Sequence, residues 1–109
     1  MKRNIKLYLA DIKSAIRKIE NYTRGLSFAA FAKDEKTIDA VITNLSVIGE
    51  AAKHIPKEIL AKHPDIPWRE IIGMRNKVIH EYFGVDEEIL WKTIKEDIPE
   101  LKKRIRKIK

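Results

Sequence analysis

Apolar residues recur along this chain at steps of three and four, the spacing of one face of an α-helix. Ile5, Leu9, Ile12, Ile16 and Ile19 form the first series, an a/d-type seam that predicts a helix from about Lys2 to Tyr22. Lys6, Lys13, Arg17 and Lys18 take the remaining faces, and Asn21 to Gly25 ends the helix, with Gly25 available for a left-handed cap. Ile38, Val41, Ile42, Leu45, Ile48 and Ala52 form a second series, on a helix from Lys33 or Asp34 to His54. Asp34 and Glu35 suit its first turn, where negative charge meets the helix dipole. Phe28 and Phe31, just ahead, are expected to plug the connection. Pro56 opens a short helix over Lys57 to Lys62, and His63-Pro64-Asp65-Ile66-Pro67 reads as a turn. A further helix starts near Pro67 and reaches Tyr82 or Phe83, closed by Gly84. The last runs from Asp86 to about Lys107, acidic at its start and basic at its end, and Pro99 should kink it or divide it in two. No strand pattern or internal repeat interrupts this series. The expectation is one all-α domain over residues 1–109, an up-and-down bundle of four long helices and one short one.

Composition narrows the chemistry. Cysteine is absent, which removes disulfides, thiolate metal sites and thiol nucleophiles together. No apolar run approaches the ~20 residues of a membrane helix, and Met1-Lys2-Arg3-Asn4-Ile5-Lys6 leads into no signal-type stretch, so a soluble, cytoplasmic protein with no membrane partner is expected. Ile outnumbers Leu by 18 to 7 amid many Lys and Glu, a leaning seen in proteins from hot environments. The net charge of +7 favours a polyanionic partner. A chain of 109 residues leaves little room for a deep enclosed pocket of its own.

The predicted helix from Pro67 carries the most informative pattern. Plotted at ~100° per residue, Trp68, Ile71, Ile72, Val78, Ile79 and Tyr82 fall within roughly 60° of Arg75. An arginine thus sits amid an apolar stripe, and it requires a carboxylate, carbonyls or a phosphate, because a guanidinium cannot shed its charge. A structural ion pair with Asp39 or Glu50 is one answer. His80 lies about 140° from Arg75, on the side shared by Asn76 and Gly73. A glycine within a helix costs ~1 kcal/mol relative to alanine, which raises the expectation of a close approach by another backbone or a ligand. Arg75 and His80 therefore do not share one stripe of a straight helix. Pairing two copies across a two-fold axis solves this, and it supplies two histidines, one able to act as base and the other as acid. Metal-free RNA cleavage needs that division of labour.

Arg75-Asn76-Lys77-Val78-Ile79-His80-Glu81-Tyr82 matches the R-x4-H-x-Y signature and resembles the HepT-like toxins, a branch of the HEPN superfamily. The flanks resemble them too: Ile48-Gly49-Glu50-Ala51-Ala52, Pro67-Trp68, Tyr82-Phe83-Gly84-Val85-Asp86, and Trp91 with Asp97-Ile98-Pro99. The resemblance implies a metal-independent endoribonuclease without cofactor, the toxin of a type VII toxin–antitoxin pair. It implies a homodimer whose motif residues meet between protomers, and an MntA-like minimal nucleotidyltransferase as antitoxin, which transfers AMP to Tyr82. On this reading Arg75 and His80 are catalytic. His80 deprotonates a ribose 2′-OH or protonates the leaving 5′-oxygen, giving a 2′,3′-cyclic phosphate, and Arg75 clamps the phosphate. Asn76 positions His80 or a phosphate oxygen, Lys77 joins the RNA-binding set, and Tyr82 lines the cleft.

Other constellations carry less. His54, His63 and His80 sit on separate elements without ligand spacing, so no metal site is expected. No glycine-rich phosphate loop is present, Gly49 is a lone helical glycine, and Ser14, Ser27 and Ser46 lack a His–acid pattern. Lys102 to Lys109 holds six basic residues and no acid, which fits a solvated helix end or an RNA-backbone contact. Two alternatives to the nuclease remain. One is a non-catalytic helical adaptor for a nucleotidyltransferase, and the other is a structural dimer without RNA.

Overall fold

The structure, a computed structural model, describes residues 4–73 and 86–108. Its elements are α1 (Ile5–Thr23), α2 (Phe28–Ala32), α3 (Glu35–Lys53), α4 (Lys57–Lys62), a helical stretch over 68–73 (α5), α6 (Glu87–Lys92) and α7 (Ile98–Ile105). Thr93–Asp97 joins the last two as a wide π-helical turn. Among the described residues there is no strand, and the architecture is all-α as the periodicity requires.

Each helix start has a chemical cause. Asn4 caps α1, its Oδ1 accepting the Lys6 N–H at 2.8 Å, so the helix begins three residues later than the apolar pattern implied. Ser27 caps α2 by accepting the Ala30 N–H at 3.1 Å. Asp34 caps α3 twice over, accepting the Thr37 N–H at 3.0 Å and the Thr37 hydroxyl at 2.7 Å. Asp86 does the same for α6 through the Glu88 N–H at 2.8 Å. Between α1 and α2 the chain turns at Gly25, whose φ of +76° is the left-handed conformation expected of it.

The connection before α3 differs from expectation. It forms a helix of its own, α2, because Ser27 supplies a cap and Phe28–Ala32 holds no residue that breaks a turn. Phe31 is the plug, fully buried, whereas Phe28 stands at the rim and is 36% exposed. Both rings meet Trp91, at centroid distances of 5.0 Å and 6.2 Å respectively.

The core is the meeting of α1 with α3, closed by the last helix. Leu9, Ile12, Ile16 and Ile19 from α1 pack with Val41, Ile42, Leu45, Ile48 and Ala52 from α3, and Ile94, Ile98, Leu101 and Ile105 complete the layer. The one buried amide side chain, among the described residues, belongs to Asn44, whose Nδ2 donates to the Ala40 carbonyl at 2.8 Å, so its burial leaves no unmet donor there.

Pro99 neither breaks nor stops the last helix, which stays helical from Glu87 to Ile105. The division takes the form of the π-turn immediately before it, where the Ile98 N–H reaches back five residues to the Thr93 carbonyl. That wide turn suits two sequence features. Pro99 has no N–H to give a regular ladder, and Leu90, Ile94 and Ile98 are spaced four and four. On a regular helix two such steps drift by about 80°, and the wider turn takes up the drift so that all three are buried.

Candidate functional site

The sequence motif spans residues 75–82, so Arg75, Asn76, Lys77, His80 and Tyr82 lie outside the described residues. What the structure does describe is the framework that leads into and out of it. Upstream, Trp68 is buried and its indole N–H donates to the His63 carbonyl at 3.1 Å, which pins the start of α5 to the end of α4. Ile71 is also buried and Ile72 packs against the core from its margin. The three described members of the apolar stripe thus face inward, as the plot of that helix requires. Downstream, Asp86 caps α6, and Leu90 returns the chain to the core.

Gly73 is the last described residue of α5. Apart from its chain neighbours and its own helix backbone, no described atom lies within 4 Å of where its Cβ would sit, and its φ is not positive. Among the described residues, nothing approaches it closely.

The two acids considered as partners for an arginine differ. Asp39 is exposed on α3, whereas Glu50 is partly buried on that helix, one turn before His54. Glu50 Oε1 stands 3.5 Å from His54 Nε2, and the His54 ring stacks on Tyr8 with centroids 4.9 Å apart and planes 13° from parallel. Glu50 and His54 stand apart in the sequence pattern, and Tyr8 carries no signal in it. The i, i+4 spacing of Glu50 and His54 was the available signal, but nothing in the sequence pairs Tyr8 with them across two helices. His63 has a structural role, its carbonyl serving Trp68 as above and its own N–H closing α4 on the Leu60 carbonyl.

The basic C-terminal run serves a purpose beyond those expected of it. Lys102 Nζ meets Glu20 at 3.0 Å, tying α7 to α1. Arg104 meets Asp65 at 2.9 Å and Glu100 at 2.8 Å, tying α7 to the turn before α5. Two of its cations are thus tertiary tethers. No described helix is long and apolar enough to cross a membrane.

Comparison with known proteins places this framework. The family model described as "Ribonuclease HepT-like" matches residues 12–108. A protein named "Probable ribonuclease HepT" from Thermococcus cleftensis is 54% identical over 109 residues, covering 100% of this chain and 99% of that one. "Putative RNase MJ0125" of Methanocaldococcus jannaschii is 49% identical over 98% of this chain and 92% of its own length. "Putative RNase TTE0752" of Caldanaerobacter subterraneus is 46% identical over 93% of this chain and 90% of its own. No solved structure matches. A match that runs from the middle of α1 to the end of the last helix takes in most of the helical core together with the motif, and the chain belongs to the HepT-like ribonuclease family.

Proposed function

We propose that this chain is a metal-independent endoribonuclease, the toxin of a type VII toxin–antitoxin pair, acting as a homodimer with Arg75 and His80 as its catalytic residues. The observation that carries the reading is the R-x4-H-x-Y motif at Arg75, His80 and Tyr82 inside a family match spanning residues 12–108. One His80 takes the proton of a ribose 2′-OH, and the 2′-oxygen attacks the adjacent phosphorus. The P–O5′ bond breaks as the second protomer's copy of this histidine gives its proton to the leaving 5′-oxygen. The products are a 2′,3′-cyclic phosphate and a 5′-hydroxyl. An unperturbed imidazole pKa of about 6.5 suits both roles near neutral pH. Arg75 holds the phosphate with a forked guanidinium and stabilises its growing charge, a geometry lysine lacks. Asn76 and Lys77 assist in binding.

Control falls on Tyr82. A nucleotidyltransferase antitoxin of the MntA type moves AMP from ATP to its hydroxyl and releases pyrophosphate. The attached nucleotide brings bulk and negative charge to the place where the substrate phosphate binds, so the enzyme is blocked on both counts.

The test is cleavage of RNA by purified, unmodified protein in EDTA, with His80→Ala alongside. Cyclic-phosphate ends from the wild type and their loss in a folded His80→Ala protein support the reading. A folded wild type that cuts no RNA leaves the chain as an adaptor for its nucleotidyltransferase instead.

A further inference from the structure

A groove of about 420 Å³ runs between α1 and α7, lined by Lys13, Ile16, Arg17, Glu20, Lys102, Ile105 and Arg106. Its walls hold four cations and a single acid, and that acid is already engaged by Lys102 at 3.0 Å. Lys13, Arg17 and Arg106 are exposed and have no ion pair among the described residues. The floor is apolar, since Ile16 and Ile105 are almost fully buried.

The spacing works against stability. Lys13 with Arg17, and Lys102 with Arg106, are like-charge pairs at i, i+4, where repulsion on a helix is strongest. Both pairs border the same groove; Glu20 neutralises Lys102, and Lys13, Arg17 and Arg106 remain as three positive charges without an ion pair among the described residues. An anion entering the groove relieves their mutual repulsion, and a chain of phosphates reaches all three at once. Arg17 and Arg106 can each grip a phosphate with two N–H donors, while Lys13 acts as a point charge.

From this we propose that the α1–α7 groove binds the phosphodiester backbone of a single-stranded nucleic acid, through residues that are not part of the R-x4-H-x-Y motif. The proposal extends the ribonuclease reading by assigning a holding surface for the substrate strand, and it does not depend on Arg75 or His80.

The test uses a fluorescein-labelled 2′-O-methyl RNA oligonucleotide, which lacks the nucleophile and so reports binding without cleavage. Anisotropy titrations over a salt series compare the wild type, Lys13→Ala/Arg17→Ala/Arg106→Ala, and a control with Lys33→Ala/Lys53→Ala/Lys57→Ala, which removes equal charge from other exposed positions. Three lost phosphate contacts reduce the slope of log affinity against log salt by about 2, so the fall in affinity between 50 and 200 mM salt becomes about 20-fold smaller in the groove variant. The control should keep the wild-type slope. Equal slopes for wild type and groove variant overturn the proposal, as does an equal loss in the control, which would make the attraction a property of net charge. A change in sedimentation coefficient on mutating the groove also overturns it, because the surface would then be a contact between subunits. The two readings fail separately: a wild type that binds through the groove but never cuts ordinary RNA sinks only the nuclease, and one that cuts RNA while ignoring groove mutations sinks only the groove.

Discussion

Lys102 Nζ and Glu20 Oε1 stand 3.0 Å apart, and this pair joins the first helix to the last across 82 residues of sequence. The Lys102 and Glu20 side chains are 40% and 32% exposed, so water and salt screen the attraction. Glu20→Gln should therefore lower stability by less than about 1 kcal/mol in urea. The same change releases Lys102 into the groove and should tighten binding of a 2′-O-methyl RNA. A loss of several kcal/mol would contradict the first expectation, and weaker RNA binding the second.

Phe31 and Phe28 lie three residues apart on α2 but differ in worth. Truncating the fully buried ring, Phe31→Ala, should cost about 3–5 kcal/mol, since the cavity opens beneath Trp91. Phe28→Ala should cost about 1 kcal/mol, as it removes only a tilted contact at the rim. Denaturant midpoints of the two variants, measured side by side, check the ranking.

At Gly73 an added methyl meets no described atom outside its own helix, and the backbone is ordinary. Gly73→Ala should raise stability by about 0.5–1 kcal/mol through helix propensity and reduced freedom of the unfolded chain. Thermal melts report this directly. RNA cleavage by the same variant is the sharper measurement: activity that collapses while stability rises would show that a substrate or second subunit approaches this glycine.

Asp34 carries the acid-sensitive cap of α3. The Thr37 hydroxyl, and after it the Thr37 N–H, hold its carboxyl below the ordinary value. A depressed folded-state pKa gives stability that is fully present above the unfolded value of about 3.9 and is lost as pH falls through the folded one. Asp34→Asn keeps a capping oxygen but cannot titrate, so its stability should fall less steeply below about pH 4. Identical acid slopes for the two proteins would remove Asp34 from the acid response.

Much of the fold was legible because periodicity reports burial directly. The α1 and α3 seams were read correctly from Leu9 to Ile19 and from Val41 to Ala52, and each of these positions is buried. Local chemistry was legible as well, as in the positive φ of Gly25 and the acidic start of α3, although Asp34 serves there as the cap and not as a first-turn residue. The misses share one cause, which is that they depend on distant partners. Nothing near Lys102 or Arg104 in sequence announces Glu20 or Asp65, so the run of cations reads only as a solvated end or an RNA-backbone contact. Tyr8 and His54 are likewise brought together only by the packing of α1 on α3. At the candidate site, the inward face of Trp68 and Ile71 was legible from the stripe, because burial follows the helical spacing.

The π-turn at Thr93–Asp97 has an effect beyond accommodating Pro99. It acts as a phase shifter between the two halves of the last helix. One residue more or less in that turn would rotate everything after it by about 100° relative to Leu90 and Ile94. Lys102 and Arg106 would then leave α1 even though every local cap and helix remained intact. A single extra backbone position thus sets the alignment between the aromatic end of the bundle at Trp91 and its cationic end at Arg106. In this helix, length and register are the variables that an insertion or deletion would disturb, more than composition.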